Sequence, residues 1–261
     1  MPHAAVNGQR LYFEDTGGSG PPVVFSHGFL MDHEMFAPQV EALRDAYRVI
    51  TWDERGFGLT EYDDQPFSYW DSARDCLGLL DHLGVELAVL GGMSQGGFLS
   101  LRAALLSPQR VRALILLDTQ AGTEDPVAVE GYTQMKDTWL AVGPVPELAG
   151  PIADLIIADP EHNEVWIAKW QARDKGFLAV PFECLLSRDD ITDRLGEIRC
   201  PALVVHGTED TAITMDQTEE LAAGLPGAGA VVAVGGAHAA NLTNPVPVNA
   251  AIVEFLGALP D

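Results

Sequence analysis

The chain has 261 residues, of which 47% are hydrophobic, enough to bury the core of one large domain or of one domain with an insertion. Its net charge of −23, from 15 basic and 38 acidic residues, argues against binding to nucleic acid or to an anionic membrane. The sequence contains no apolar run of about 18 residues, so it predicts no transmembrane helix. The first residues lack the pattern of a secretory signal, and we therefore expect a cytoplasmic protein.

In chain order, the sequence first predicts a β-hairpin, because Asn7-Gly8 separates two strand-like runs. Short apolar runs then alternate with amphipathic stretches at the spacing of βαβ units, which indicates a parallel sheet covered on both faces. The predicted strands are 4–6, 11–14, 22–26, 48–52, 87–90, 113–117, 202–206 and 230–234. The predicted helices of this part are 35–43, 69–83, 98–106, 214–225 and 246–256.

The alternation stops between about residues 122 and 194. This stretch contains several prolines and helical patterns but no clear strand. We therefore predict a core of residues 1–121 and 195–261 and a helical cap inserted at 122–194. The predicted fold class is α/β, with a mostly parallel eight-stranded sheet and helices on both of its faces.

The three cysteines, Cys76, Cys184 and Cys200, are far apart in the sequence. They form neither the even set of a disulfide framework nor the C-x-x-C pattern of a metal site. We therefore expect reduced thiols and no metal.

Residues 86–106 contain the pattern G-x-S-x-G, formed by Gly92, Ser94 and Gly96, between an apolar strand and a predicted helix. A serine on a sharp strand-to-helix turn needs neighbours without Cβ atoms, and the helix N-terminus stabilises an anion formed there. Such a pattern can arise by chance in a chain with 26 glycines. Its context favours a catalytic Ser94 over a structural turn.

A serine hydroxyl is a weak nucleophile, so it needs a base, and the base needs an acid to orient it. Three histidines follow the elbow: His162, His206 and His238. His238 lies in a loop after a predicted strand and two glycines, so we predict that it is the base. His162 is more typical of a solvated loop, and His206, at a strand end, of a packed or hydrogen-bonded histidine.

The acid should lie at the carboxyl end of a parallel strand, where open α/β sheets place their sites. Asp210 follows the predicted strand 202–206, and we predict that it is the acid. Asp118, at the end of the predicted strand 113–117, remains the alternative.

An oxyanion formed at the serine needs two backbone N–H donors about 3 Å away. One belongs to Gln95, the residue after the predicted nucleophile. We assign the other to Phe29, which follows His27-Gly28 in the loop after an early strand. His27 itself is not favoured as the base because it precedes Ser94.

Several motifs together resemble the α/β-hydrolase superfamily, in the same order and over nearly the whole chain. The closing segment 236–245, which contains His238, Asn241 and Pro245, is most similar to its 3-oxoadipate enol-lactonase and carboxylesterase branch. The motifs are His27-Gly28, Asp53-x-Arg55-Gly56-x-Gly58, Gly92-x-Ser94-x-Gly96, Gly207-x-x-Asp210 and His238.

The chain departs from the pattern at Gln95, where many relatives have Met or Leu, so we expect a side-chain amide in the site. Arg55 is interpreted as a packing or ion-pair residue. The serine at position 94 excludes haloalkane dehalogenases and epoxide hydrolases, which carry Asp at the elbow. A serine alkoxide instead suits acyl transfer.

The resemblance implies a serine hydrolase without a cofactor, which cleaves a small or medium carboxylic ester or a lactone through an acyl-enzyme on Ser94. Two alternatives use the same triad: a cofactor-free perhydrolase or haloperoxidase, and a C–C bond hydrolase or lyase. A third is a non-enzymatic small-molecule receptor on the same fold. The expected partner is a small ester or lactone, and a homo-oligomer is left open.

Specificity is expected to lie in the cap. Trp139, Trp166 and Trp170 are candidates for an apolar substrate pocket, although aromatic residues at this spacing are also typical of a cap core. Four basic residues could bind a carboxylate substrate or could be solvated surface charges: Lys136, Lys169, Arg173 and Arg188.

Overall fold

The computed structural model describes residues 2–124 and 126–260. Eight strands form one sheet. They are β1 (His3–Val6), β2 (Gln9–Asp15), β3 (Pro22–Ser26), β4 (Arg48–Trp52), β5 (Ala88–Met93), β6 (Val111–Leu117), β7 (Ala202–Gly207) and β8 (Val232–Val234). Their order across the sheet is β1-β2-β4-β3-β5-β6-β7-β8.

Most neighbouring strands of this sheet are parallel. Only β1 with β2 and β2 with β4 pair antiparallel among the described strands, while every other neighbouring pair is parallel. The prediction of a mostly parallel eight-stranded sheet is therefore confirmed.

Helices surround the sheet. The α-helices are α1 (Ala37–Leu43), α2 (Tyr69–His82), α3 (Gln95–Leu106), α4 (Pro126–Val142), α5 (Pro146–Ile156), α6 (Pro160–Gln171), α7 (Ala179–Leu186), α8 (Met215–Gly224), α9 (Ala240–Thr243) and α10 (Pro245–Ala258). Short 3₁₀ helices cover His33–Phe36, Pro108–Arg110, Lys175–Leu178 and Thr192–Glu197. Four α-helices, α4 to α7, thus follow β6 and precede β7, in the stretch predicted to be a cap.

The central strands are covered on both faces. Every residue of β5 is buried, and in β6 the consecutive residues Leu114, Ile115 and Leu116 have no exposed surface. Since successive side chains of a strand point to opposite faces, burial along the whole strand requires helices on both sides. This is why β5 and residues 113–117 of β6 are unbroken apolar runs in the sequence.

The predicted hairpin turn is present between β1 and β2. Val6 pairs with Gln9, and the two residues between them, Asn7 and Gly8, have φ angles of 48° and 81°. Positive φ at both positions is what a type I′ turn requires, and Asn-Gly adopts it at low cost.

Most observed elements begin and end within two residues of the predicted bounds, and two regions differ more. The predicted helix 35–43 consists of a 3₁₀ turn followed by α1, because Pro38 occupies the first turn of α1, where proline is tolerated. The turn between the predicted strand 87–90 and the predicted helix 98–106 is much shorter than expected, since β5 continues to Met93 and α3 begins at Gln95.

The three cysteines carry free thiols; Cys76 and Cys184 are buried and Cys200 is half-buried. Within the described ranges, no helix combines the length and the apolar character needed to cross a bilayer.

Candidate active site

Ser94 occupies the single residue between β5 and α3. Its φ of 52° and ψ of −116° lie in a region that residues with a Cβ rarely adopt. Its backbone is held on both sides, because its N–H donates to the carbonyl oxygen of Leu117 (3.0 Å) and its carbonyl accepts from Thr119 Oγ1 (2.7 Å). A strained serine held in this way at a helix N-terminus is the arrangement of a nucleophile elbow.

The glycines around Ser94 are required by close backbone contact. A Cβ on Gly92 would collide with the backbone of Gly96, and a Cβ on Gly96 would collide with the carbonyl oxygen of Ser26. Strand and helix can meet at this angle only because both positions lack a side chain.

His238 and Asp210, the predicted base and acid, are in direct contact. His238 Nδ1 lies 2.7 Å from Asp210 Oδ2, and both residues are buried. The other oxygen, Oδ1, accepts hydrogen bonds from the backbone N–H groups of Ala212 (2.8 Å) and Ile213 (3.1 Å). The carboxylate is therefore fixed, and a ring that donates from Nδ1 presents Nε2 as an acceptor.

Asp118, the alternative acid, belongs to a second histidine–aspartate pair. Its Oδ1 lies 3.6 Å from His206 Nδ1 and accepts a hydrogen bond from the N–H of Gly207 (2.7 Å). His206 Nδ1 lies 3.1 Å from Thr218 Oγ1. Burial, with the nearby charge of Asp210, raises the pKa of Asp118 well above its usual range, and burial lowers the pKa of His206. The pair is a packed element of the core.

The two predicted oxyanion donors are backbone groups of Phe29 and Gln95. Both residues are buried, and neither N–H donates a hydrogen bond within residues 2–124 and 126–260. Phe29 and Ser94 line the same cavity. Free N–H groups next to a serine at a helix N-terminus are the donors that an oxyanion needs.

The Gln95 side chain does not line the site, contrary to the expectation from sequence. Its Nε2 donates to Glu54 Oε1 (3.2 Å), and its Oε1 accepts from the hydroxyl of Tyr69 (3.1 Å). Complete burial raises the pKa of Glu54 well above the usual range, which favours the uncharged form of this carboxyl. The two partners turn the amide into the core and away from the cavity. Sequence reasoning missed Glu54, because a carboxyl in a loop gives no sign of its burial.

The remaining sequence candidates have structural surroundings. His27 is fully buried, its Nδ1 lies 2.8 Å from the carbonyl oxygen of Gly28, and its Nε2 accepts from the N–H of Glu54 (3.0 Å). Burial lowers the pKa of His27. His162 is partly exposed and contacts Asp159 (2.7 Å). Arg55 forms an ion pair with the buried Asp75, as its ion-pair interpretation predicts.

Ser94 and His238 open into one cavity of about 50 Å³ beneath α4 and α5. Its walls are mostly apolar. They consist of Phe29, Leu30, Met93, Phe98, Tyr132, Met135, Ile152, Leu155, Ile156, Leu185, Ala212, Ile213 and one carboxylate, Glu124. A small apolar cavity beside a serine and a histidine suits the uncharged part of a small substrate.

The three tryptophans are not part of this cavity wall. Trp139 has no exposed surface and stacks edge-on against Trp170. Trp170 Nε1 donates to the carbonyl oxygen of Leu30 (2.7 Å). Trp166 and Trp170 line a second hollow between α6 and the segment 30–34. Their surroundings match the alternative that the sequence left open, a packed cap core.

The four basic candidates have acidic, carbonyl or aromatic partners. Lys169 lies 2.8 Å from Asp32 and 2.7 Å from Glu34. The other contacts are Lys136 with Glu183, Arg173 with the Phe177 ring and the Gly56 carbonyl, and Arg188 with Glu124. Arg188 is only 8% exposed, so its interpretation as a solvated surface charge is wrong.

In the part of the chain that the structure describes, two groups of residues have the right atoms for a metal within 4.8 Å of one another: Asp32, His33 and Asp53, and Asp118, His206 and Asp210. In the first group, Asp53 Oδ1 accepts from the backbone and ring of His33 (both 2.8 Å). In the second, Asp210 is bound to His238. These carboxylates already have donors that fix them, and the absence of a metal stays a prediction.

A strained serine after a parallel strand, beside a histidine–aspartate pair from later loops, defines a hydrolase of the α/β class. The chain belongs to the α/β-hydrolase family, since the family model described as the alpha/beta hydrolase fold matches residues 21–245. The predicted superfamily is therefore confirmed.

Individual relatives are similar over nearly their whole length. A protein of Azorhizobium caulinodans named "Putative carbamate hydrolase RutD" is 30% identical, with 99% of both chains covered. The structure of a thermophilic esterase from Thermogutta terrifontis has a TM-score of 0.90 at 30% identity, with 99% of this chain and 98% of that one covered. An enol-lactonase from Burkholderia xenovorans has a TM-score of 0.89 at 29% identity, with 98% and 100% covered.

These similarities agree with the resemblance to the enol-lactonase and esterase branch. The family and the names of its members indicate that the chain is a hydrolase. The bond that it cleaves has to be inferred from the residues of the site.

Proposed function

We propose that the protein is a serine hydrolase that cleaves a small or medium carboxylic ester or a lactone through an acyl-enzyme on Ser94. The observation that carries the proposal is the 2.7 Å contact between His238 and Asp210, in a cavity that Ser94 also lines. The fixed carboxylate orients the ring, and the ring faces the same space as the serine hydroxyl.

In the proposed reaction, His238 Nε2 takes the proton of Ser94 Oγ as the oxygen attacks the carbonyl carbon. The N–H groups of Phe29 and Gln95 stabilise the oxyanion. His238 then protonates the leaving alcohol, and water releases the acid by the reverse sequence. A lactone opens through the same steps, with the alcohol still attached to the acyl chain.

Two observations support an ester or a lactone over other acyl compounds. Relatives with esterase and enol-lactonase structures have TM-scores of 0.90 and 0.89. The small apolar cavity offers room for a short acyl chain and few partners for a long polar one. A carbamate, named for another relative, is attacked in the same way and belongs in the substrate panel.

A fluorophosphonate probe and a substrate panel test the proposal. We expect the probe to label wild-type protein at Ser94, located by peptide mass spectrometry, and the protein to hydrolyse short 4-nitrophenyl esters or lactones with steady turnover. Ser94→Ala should lose labelling and at least ~10³-fold in kcat, because the residues of a triad act as a unit. Ser187→Ala, at an exposed serine at the end of α7, is the matched control and should change neither.

Each other outcome has a distinct meaning. Labelling of Ser94 without turnover of any ester, lactone or carbamate would favour a receptor. Faster peroxide-dependent halogenation than ester cleavage would favour the perhydrolase alternative. Activity lost on dialysis against a chelator would contradict the proposal that no cofactor is needed.

A further inference from the structure

Two polar side chains interrupt the apolar wall of the cavity at Ser94 and take no part in the proposed reaction. They are Glu124, in the segment after β6, and Tyr132, in α4. Apart from these two and the proposed catalytic pair, every side chain in the described wall is apolar. A polar group in such a place orients a ligand or imposes a cost when its ligand lacks a partner for it.

Glu124 is held in place on one side only. Its Oε1 accepts from Arg188 Nη2 (2.8 Å) and from Gln120 Nε2 (3.4 Å). Arg188 is fixed in turn, since its Nε donates to the carbonyl oxygen of Gly122 (3.0 Å) and its guanidinium lies 4.4 Å from the centre of the Phe98 ring. Among residues 2–124 and 126–260, Glu124 Oε2 has no hydrogen-bond partner. The side chain is 11% exposed, so Oε2 is a positioned acceptor beside the cavity.

Tyr132 offers a hydroxyl beside the same space. This hydroxyl has no hydrogen-bond partner within the described ranges, and it is not one of the fully enclosed polar atoms. Burial raises the pKa of Tyr132 to about 12, and the charge of Glu124 contributes. At neutral pH the group is therefore a neutral hydroxyl that can both donate and accept.

We propose that Glu124 is a specificity-determining residue that selects acyl chains or lactones carrying a neutral hydrogen-bond donor, a hydroxyl or an amide N–H, over plain alkyl chains. This inference rests on the proposed function. A donor on the substrate forms a hydrogen bond with Glu124 Oε2. An alkyl chain displaces water from that oxygen and offers no hydrogen bond in its place. Tyr132 gives the same hydroxyl or amide a second partner.

The charge of the site argues against an acidic acyl chain. Glu124 already pairs with Arg188, and Asp210 contacts His238, which lines the same cavity. A substrate carboxylate would be a third negative charge beside one cation. A substrate ammonium would meet a carboxylate that is already paired with Arg188, so the neutral donor is the better match.

The first test compares kcat/KM for methyl butanoate, methyl 3-hydroxybutanoate and methyl N-acetylglycinate in wild-type protein. We expect at least one of the two donor esters to be favoured by ~10-fold, the size of effect that one unpaired polar group produces. Monomethyl succinate and methyl 3-aminobutanoate should be cleaved less well than the favoured donor ester. Preference for either charged ester would overturn the proposal, as would equal kcat/KM for all neutral esters.

Variants of Glu124 provide the second test. Glu124→Leu should abolish the preference by lowering kcat/KM for the favoured donor ester, while Glu124→Gln should reduce the preference. Glu130→Gln, at an exposed glutamate of α4, is the matched control and should keep the wild-type ratio. If Glu124→Leu does not fold, the isosteric Glu124→Gln decides. An unchanged ratio in a folded Glu124 variant would contradict the role.

A binding experiment separates failure of this inference from failure of the proposed function. Calorimetric titration of Ser94→Ala with 3-hydroxybutanamide and butanamide needs no turnover. Tighter binding of the hydroxylated amide, lost in the Ser94→Ala, Glu124→Leu double variant, would support Glu124 even if no ester is cleaved. Equal binding of the two amides would reject it even if Ser94 is the nucleophile.

Discussion

Two histidine–aspartate pairs lie side by side at the carboxyl edge of the sheet, and they differ in what surrounds them. His238 and Asp210 are 2.7 Å apart, and His238 lines the cavity with Ser94. His206 and Asp118 are 3.6 Å apart, and neither belongs to the cavity wall. The same two residue types therefore face a cavity in the first pair and are enclosed in the core in the second.

The partners of each carboxylate explain the difference. Asp210 receives two backbone N–H bonds on one oxygen and His238 on the other, so its charge is satisfied. Asp118 receives one backbone bond, from Gly207, and burial raises its pKa well above the usual range. A carboxylate that is to orient a base must itself be held by donors on both oxygens, and Asp210 has these donors.

Replacing the two histidines should give the largest contrast. We expect His238→Gln to lower kcat by on the order of 10⁴ or more, because the base and the nucleophile act as a unit. His206→Gln should keep kcat within a few-fold, since its ring meets Thr218 in the core. Steady-state kinetics on a 4-nitrophenyl ester measure both. A greater loss in His206→Gln would exchange the roles assigned to the two pairs.

Replacing the two aspartates should give a contrast that is smaller but has the same direction. Asp210→Asn should lower kcat by on the order of 10³, because an amide no longer stabilises the imidazolium. Asp118→Asn should have little effect, since burial favours the uncharged form of Asp118, which an amide resembles, and Asn can still accept from Gly207. The same kinetic assay decides, and the opposite ranking would move the acid to position 118.

The raised pKa of Asp118 predicts a pH-dependent effect on stability. Above about pH 4 the Asp118 carboxyl loses its proton in the unfolded chain but retains it in the folded protein. Asp118 therefore lowers the free energy of unfolding as the pH rises. Asp118→Asn should therefore gain Tm relative to wild type as the pH rises from 4 to 8, by about 2–4 °C for each ~1 kcal/mol removed. Melting curves across this range measure the difference. A constant difference would mean that Asp118 is charged.

His206 should show the smallest effect, with the opposite sign. Burial lowers its pKa, so the folded state resists a proton that the unfolded chain accepts below about pH 6.5. Stability contributed by this group is lost as the pH falls, and His206→Gln should flatten that loss by less than ~1 kcal/mol. Chemical unfolding at pH 7 and pH 5.5 gives the two free energies. A steeper loss in the variant would indicate a charged His206.

Much of the candidate site was predictable because its chemistry follows chain order and strand ends. The sequence predicted Ser94 as the nucleophile from G-x-S-x-G between a strand and a helix, and Asp210 and His238 as acid and base from their places after β7 and β8. The cap residues were harder to predict. An aromatic residue suits both a packed core and the wall of a pocket. Only the spatial neighbours of Trp139, Trp166 and Trp170 show which of the two they belong to.

The sequence by itself determined the sheet, the hairpin at Asn7-Gly8 and the elbow, because apolar period and glycine placement act locally along the chain. Only the tertiary structure decided which aspartate faces which histidine, where the Gln95 amide turns, and that Glu124 lies in the wall beside Ser94. These depend on burial and on contacts between distant segments, such as Arg188 with Glu124. The free energies of burial and of such distant contacts arise only when the whole chain is packed, so a local sequence pattern does not reveal them.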